Sequence, residues 1–123
     1  IATDHAPHSK EEKSKPIEKA LNGIVGIETS FALSYTYLVK TGILTPLELI
    51  NKMSTNGAKI LDIDRGTLKV GSIADIALFD VTNEYEIKEE DFKSKGHNSP
   101  FIGMNVYGRT VQTFVAGVCK YRI

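Results

Sequence analysis

The stretch Ile1-Ala2-Thr3-Asp4-His5-Ala6-Pro7-His8 changes character partway along. Its first three residues read as the end of a buried strand, and the next five form a polar loop carrying one carboxylate and two imidazoles. A strand by itself leaves its backbone donors and acceptors unpaired, so Ile1 to Thr3 calls for partner strands that no nearby segment offers. An α/β barrel is the arrangement in which such a strand end carries chemistry, because eight strands deliver their carboxyl ends to one mouth. A complete barrel takes roughly 250 residues, and this chain has 123. It therefore reads as a portion of a larger fold.

Working outward, apolar residues at Ile27, Phe31, Tyr35, Leu38 and Val39 fall at spacings of three and four. They predict a helix from Ile27 to Thr41, closed by Gly42, with the aromatics Phe31, Tyr35 and Tyr37 in the core. Thr45-Pro46-Leu47-Glu48 predicts a second helix start, with Thr45 and Glu48 capping each other and Pro46 at the first helical position. Leu47, Leu49, Ile50 and Met53 give that helix an apolar face. Ser54-Thr55-Asn56-Gly57 predicts an interruption before a short helical piece from Ala58 to Leu61.

Past residue 62 the pattern becomes strand-like. Gly66 and Gly71 mark tight turns, and Ala74 to Val81 is a mostly apolar run of strand length bracketed by Asp75 and Asp80. Val111 to Ala116 and Val118 to Tyr121 predict a hairpin about Gly117. Residues 83 to 95 are polar and charge-rich, which predicts a surface excursion, and Gly96-His97-Asn98-Ser99-Pro100 reads as a loop. The chain thus divides into residues 1–61 and 62–123, each too small to bury much core alone.

Fifteen Lys and Arg balance fifteen Asp and Glu, for a formal net charge of zero. Nucleic-acid binding and polybasic attachment to membranes both need a clustered cationic excess, and neither is expected. Lys10, Lys13, Lys15 and Lys19 alternate with Glu11, Glu12 and Glu18 as on a solvated face. No apolar run reaches the about 18 residues of a membrane span, and the start lacks the basic and apolar regions of a secretory leader. The single cysteine, Cys119, has no partner for an internal disulfide and reads as a small buried hydrophobe in a reducing, cytoplasmic setting.

The chemistry concentrates in the opening loop. A carboxylate such as Asp4 can hold a divalent ion and pass a proton from an attacking water to a leaving group. An aspartate at a strand end equally well caps a turn. His5 and His8, three apart, fall short of the three protein donors of a catalytic zinc site. The residues by themselves leave both readings of Asp4 open.

Ile1 to His8, together with Glu12-Lys13 and Asn22-Gly23-Ile24-Val25-Gly26-Ile27-Glu28-Thr29, resembles the last barrel segment of the bacterial-type dihydroorotases, which are cyclic amidohydrolases. The likeness continues through Asn56-Gly57-Ala58. It goes on through Gly66-Thr67-Leu68-Lys69-Val70-Gly71-Ser72-Ile73-Ala74-Asp75, the signature of the amidohydrolase small β-domain, and through Ser94 to Phe101 and the terminal hairpin. The Gly66 to Asp75 pattern is shared across the superfamily. The Asp-His-Ala-Pro-His pattern is narrower, because hydantoinases and dihydropyrimidinases usually carry Asp-His-Cys there and allantoinases Asp-His-Ser-Pro.

The resemblance implies an α/β fold in which residues 1–61 are the closing strand and helices of an amidohydrolase TIM barrel. Residues 62–123 would be strands of its small composite β-sandwich. It implies a zinc-dependent, cytoplasmic enzyme of pyrimidine biosynthesis that interconverts dihydroorotate and N-carbamoyl-L-aspartate. Asp4 would be ligand to one zinc of a binuclear pair and the general acid/base, His8 would hydrogen-bond the substrate or, as the alternative, make a loop-ordering hydrogen bond, and Asn22 and Gly23 would offer the substrate backbone groups. His5 would orient the loop, His97 would be structural or at the surface, Glu28 would favour the helix dipole, and Asp75 would hold a turn. Partners implied are the remaining N-terminal part of the parent chain, a second copy in a homodimer, or a carbamoyltransferase. The family's His-x-His pair, its bridging carboxylated lysine, the histidines of its middle strands and its carboxylate-gripping Arg and Asn have no match among these residues. The isolated chain is therefore expected to be inactive, with exposed apolar surface. The alternatives are a hydantoinase or allantoinase, a non-catalytic dihydroorotase homologue serving as a scaffold, and an independent β-rich binding module.

Overall fold

Two reciprocal side-chain caps start helices in the computed structural model, which describes residues 1–123. Ser9 Oγ accepts from the Glu12 N–H at 3.2 Å while the Glu12 carboxylate accepts from the Ser9 N–H at 2.9 Å, opening the short α1 (Lys10–Lys13). The next helix, α2 (Ser30–Ser34), has no such cap: Thr29 is buried and its hydroxyl is unpartnered, and Ser30 Oγ donates to the Ile27 carbonyl at 3.1 Å instead. It runs on into a π-helical turn, Tyr35–Val39, and the chain then turns at Gly42 with φ +79°. Thr45 and Glu48 repeat the reciprocal cap at α3 (Pro46–Ile50), with Pro46 in the first turn where its missing N–H costs nothing.

The interruption expected at Ser54 to Gly57 does not occur. α3 passes through a π-helical turn, Asn51–Thr55, directly into α4 (Asn56–Ile60), with helical backbone at Ile50, Thr55 and Asn56. Thr55 keeps its helical backbone while its Oγ1 donates outside the helix, to the Gly66 carbonyl at 3.2 Å. Ile1 to Thr3 do not form the expected strand either. A strand needs a hydrogen-bonded neighbour, and the pairing here is a single parallel bridge between His5 and Ile24.

Five strands follow. β1 (Ile76–Asp80), β4 (Arg109–Val115) and β5 (Val118–Arg122) form an antiparallel sheet in the order β1-β4-β5, while β2 (Tyr85–Glu86) pairs with β3 (Asn105–Val106). Ile76 faces Phe114 and Asp80 faces Arg109 across the first pair. The predicted hairpin is present. Its two central residues, Ala116 and Gly117, both have positive φ, 48° and 78°, which is the twist that matches neighbouring strands. The Asp75 carboxylate accepts from the Ala116 N–H at 2.7 Å and from Arg65 Nε at 2.6 Å, so Asp75 holds the turn as expected.

The core is drawn from both sides of residue 62. Val25, Ala32, Ile87, Phe92 and Val106 are buried together, with Leu33, Tyr85, Phe101 and Met104 packed on them. Residues 83 to 95 are therefore more than a surface excursion: the two apolar members Ile87 and Phe92 turn inward and the charged ones outward. Phe31 and Phe79 stack with ring centroids 3.6 Å apart, and a β-carbon on Gly108 would stand 2.9 Å from the Phe31 ring. Thr36 Oγ1 accepts from the Tyr107 N–H at 2.9 Å, and Lys40 lies 3.5 Å from the centre of the Tyr107 ring. Leu49 on α3 and Ala58 on α4 are also buried.

Two sequence expectations fail on exposure. Tyr37 is 48% exposed, on the outer side of its π-helical turn, and Cys119 lies exposed on β5, where every residue is open to solvent. The accessible surface is 8614 Å² for 13.5 kDa, against about 6,500 Å² for a folded monomer of that mass. Ile17, Ile60, Leu68 and Val70 are each more than 80% exposed. The expected unpartnered apolar surface is present. No helix is long and apolar enough to cross a membrane.

Candidate functional site

The loop after Thr3 is held from two directions. On one side, the segment at residues 22–27 meets it: the Ala6 N–H donates to the Ile24 carbonyl at 2.8 Å, and His5 Nδ1 accepts from the Gly26 N–H at 3.1 Å. This is the loop-orienting role expected of His5. Such close approach needs glycine at two places. Gly23 has φ +117°, and a β-carbon there would lie 2.5 Å from the Ala6 β-carbon; one on Gly26 would lie 2.9 Å from the Thr3 carbonyl oxygen.

His8, Asn22 and Gly23 are brought together. His8 Nε2 is 2.8 Å from the Asn22 carbonyl oxygen, which can only accept, so this nitrogen donates. Its Nδ1 faces Glu12 Oε2 at 3.8 Å. Lys13 Nζ donates to the carbonyls of Leu21 at 2.9 Å and Gly23 at 3.2 Å, clamping the same turn from α1.

Asp4 takes no part in these bonds. It is exposed, its φ of 44° lies in the left-handed region, and no hydrogen bond or ion pair engages its carboxylate. A non-glycine residue in that region is uncommon, with Asp and Asn the residues that best tolerate it. The backbone at this point is bent so that the acid leaves the loop while its neighbours bind within it.

The second direction of support comes from residues 93–98, where sequence reasoning found only a loop. Asn98 Oδ1 accepts from the His8 N–H at 3.1 Å, and its Nδ2 donates to the carbonyls of Ala6 at 3.2 Å and Gly23 at 3.1 Å. Glu28 pins the start of that loop. Its carboxylate accepts from the N–H groups of Lys93 at 2.8 Å and Ser94 at 3.0 Å and from Ser94 Oγ at 2.8 Å. Partial burial opposes its ionised form, but those donors outweigh burial and hold its carboxyl below the usual range. The helix-dipole role expected of Glu28 thus gives way to a tether. No local pattern marks Glu28 or Asn98, because their partners lie 65 to 92 residues away. His97 is a surface residue as expected, with Nε2 3.0 Å from the Ser94 carbonyl and Nδ1 3.5 Å from Glu89.

A polar cleft of about 380 Å³ opens beside His8 and Asn98, with Lys10, Lys13 and Lys95 on its walls. A separate cavity of about 280 Å³ between Tyr85, Arg109 and Tyr121 includes none of the residues expected to act on substrate. No group of three His, Cys, Asp or Glu side chains is close enough to hold a metal ion. Asp4 offers one donor, and the residues of this chain do not make a closed zinc site.

With this arrangement in view, the model of the amidohydrolase family matches residues 1–119, and the chain belongs to that family. Among curated relatives, it is 52% identical over 122 residues to a dihydroorotase of a Thermoanaerobacter species, covering 99% of this chain and 28% of the relative. It is 46% identical over 121 residues to the dihydroorotase of Clostridium acetobutylicum, covering 98% and 28%. Among solved structures, it resembles the L-hydantoinase (dihydropyrimidinase) of Arthrobacter aurescens with a TM-score of 0.82 at 36% identity, over 92% of this chain and 26% of that one. It also resembles the dihydropyrimidinase of Brevibacillus agri with a TM-score of 0.84 at 29% identity, over 97% and 27%. The chain therefore spans just over a quarter of the proteins it matches.

Proposed function

We propose that these residues serve a dihydroorotase, contributing the carboxylate that moves the proton and part of the surface that holds the substrate. The observation that supports this most is Asp4: its backbone is bent into the left-handed region and its acid group is exposed, while its neighbours His5 and Ala6 are committed to holding the loop. Identity favours this substrate over hydantoin, at 46 to 52% with the dihydroorotases against 29 to 36% with the hydantoinase and dihydropyrimidinase structures.

In the forward reaction, water attacks the ring carbonyl carbon of dihydroorotate, Asp4 takes the proton of that water, the carbon–nitrogen bond breaks, and Asp4 returns the proton to the departing nitrogen. The product is N-carbamoyl-L-aspartate, and ring closure runs the same steps backwards. His8 lines the polar cleft, its ring is bonded to the Asn22 carbonyl, and His8, Asn22 and Gly23 would face the substrate from one side. Zinc belongs to this proposal as a group to which Asp4 gives one oxygen, with its other donors outside these residues. Residues 1–61 would be the closing part of a barrel and residues 62–123 part of its β-domain. The test is turnover by the full-length parent: hydrolysis of dihydroorotate in preference to hydantoin and allantoin supports the reading, and preference for either of the others overturns it.

A further inference from the structure

We infer that Asn98 is a positioning residue for the candidate site, the side chain through which the loop at residues 94–100 sets the placement of His8 and the Gly23 backbone. Its amide reaches two other segments at once. Oδ1 takes the His8 N–H, and the two protons of Nδ2 go to the Ala6 and Gly23 carbonyls, at 3.1, 3.2 and 3.1 Å. The Asn98 main-chain carbonyl accepts from the Val25 N–H at 3.2 Å, extending the same seam.

The chemistry of the group fits only an amide. A primary amide presents two donors and an acceptor in one plane, whereas a carboxylate would turn an acceptor toward two carbonyl oxygens, and a hydroxyl has one proton to give. The approach also depends on Gly96. A β-carbon there would lie 3.0 Å from the His8 carbonyl oxygen and from Pro7 Cβ, and 3.1 Å from Asn98 Oδ1. Gly96 is buried and Asn98 half-buried, so the seam is partly shielded from water. Glu28 fixes the loop at Lys93 and Ser94, leaving Asn98 to set its far end.

The kinetic part of the test rests on the proposed dihydroorotase reading. In the full-length parent, Asn98→Ala and Asn98→Asp are compared with Asp75→Asn, which loosens the β4–β5 turn away from the site. Both Asn98 variants should raise KM for dihydroorotate by about tenfold or more with a smaller change in kcat, while Asp75→Asn lowers Tm and leaves KM unchanged. An unchanged KM in the Asn98 variants, with lower Tm or a smaller active fraction, overturns the assignment. A wild-type parent that does not turn over dihydroorotate overturns the functional reading instead. In that event amide hydrogen exchange in the same protein decides about Asn98. Exchange at His8 and at residues 23–26 rising about tenfold in Asn98→Ala, with β4 and β5 unaffected, supports the role; unchanged exchange at His8 overturns it.

Discussion

Gly23 packs so tightly on Ala6 that a β-carbon added to it would stand 2.5 Å from the β-carbon of Ala6, with the Ala6 carbonyl oxygen 3.3 Å away. The backbone of Gly23 also has φ +117°, which a side chain would strain. Gly23→Ala should therefore destabilise the protein by about 2–4 kcal/mol, from strain and overpacking together. Chemical denaturation of the parent checks this, and a loss below about 0.5 kcal/mol would show that the two segments can part at little cost.

Asp4 lends itself to a clean separation of stability from activity. Its side chain is exposed and bonded to nothing in the chain, so replacing it removes no packing. Asp4→Asn, which tolerates the φ of 44°, should shift stability by less than about 0.5 kcal/mol and abolish nearly all turnover in the parent. Asp4→Ala should lose turnover equally and about 1 kcal/mol more stability from its left-handed backbone. A near-normal kcat in either variant would refute the proton-carrying role.

The 123-residue chain alone should not hydrolyse dihydroorotate, with or without added zinc. One carboxylate cannot close a coordination shell, and no group of three His, Cys, Asp or Glu side chains comes together in the chain. Measurable turnover in a coupled assay of the purified chain would contradict this.

Acid should weaken the seam around the loop at residues 93–98. Because the Glu28 carboxyl is held below its ordinary value of 4.5 in the fold, its contribution is fully present above that pH. It is lost as pH falls through the lower, folded value. Glu28→Gln should thus lower Tm at neutral pH and flatten the decline of Tm below about pH 4.5. Parallel acid limbs in the two proteins would show that the tether carries no pH-dependent stability.

Isolated, the chain should self-associate. It exposes Ile17, Ile60, Leu68 and Val70 almost fully, and its surface exceeds that of an ordinary folded monomer of its mass by about 2,000 Å². Sedimentation velocity should show oligomers growing with concentration. A compact monomer across the range would count against this.

What the sequence made legible was local. The cap between Thr45 and Glu48 and the turn at Ala116 and Gly117 follow from residue types a few positions apart, and the structure contains both. The cluster at Asp4, His5 and His8 was visible because its unusual residue types are contiguous. The supports were not. Asn98 meets residues 75 to 92 positions away and Glu28 meets residues 65 and 66 away, and spacing rules say nothing at that range. Ile1 to Thr3 had strand-forming types but no paired neighbour, and the polar Ser54 to Gly57 stayed helical, with Thr55 donating to an acceptor outside the helix. Cys119 shows the remaining gap: residue type favours burial, but a strand whose residues are all open to solvent exposes it.

The stack of Phe31 on Phe79 is possible only because position 108 has no side chain to occupy the space beside the Phe31 ring. The identities of residues 31 and 108 are therefore bound together across 77 positions. Among relatives, an aromatic at the first should travel with glycine at the second, and a relative that fills position 108 should carry a smaller residue at 31. Paired inheritance of this kind would leave a trace in any large set of sequences, readable without a single activity measurement.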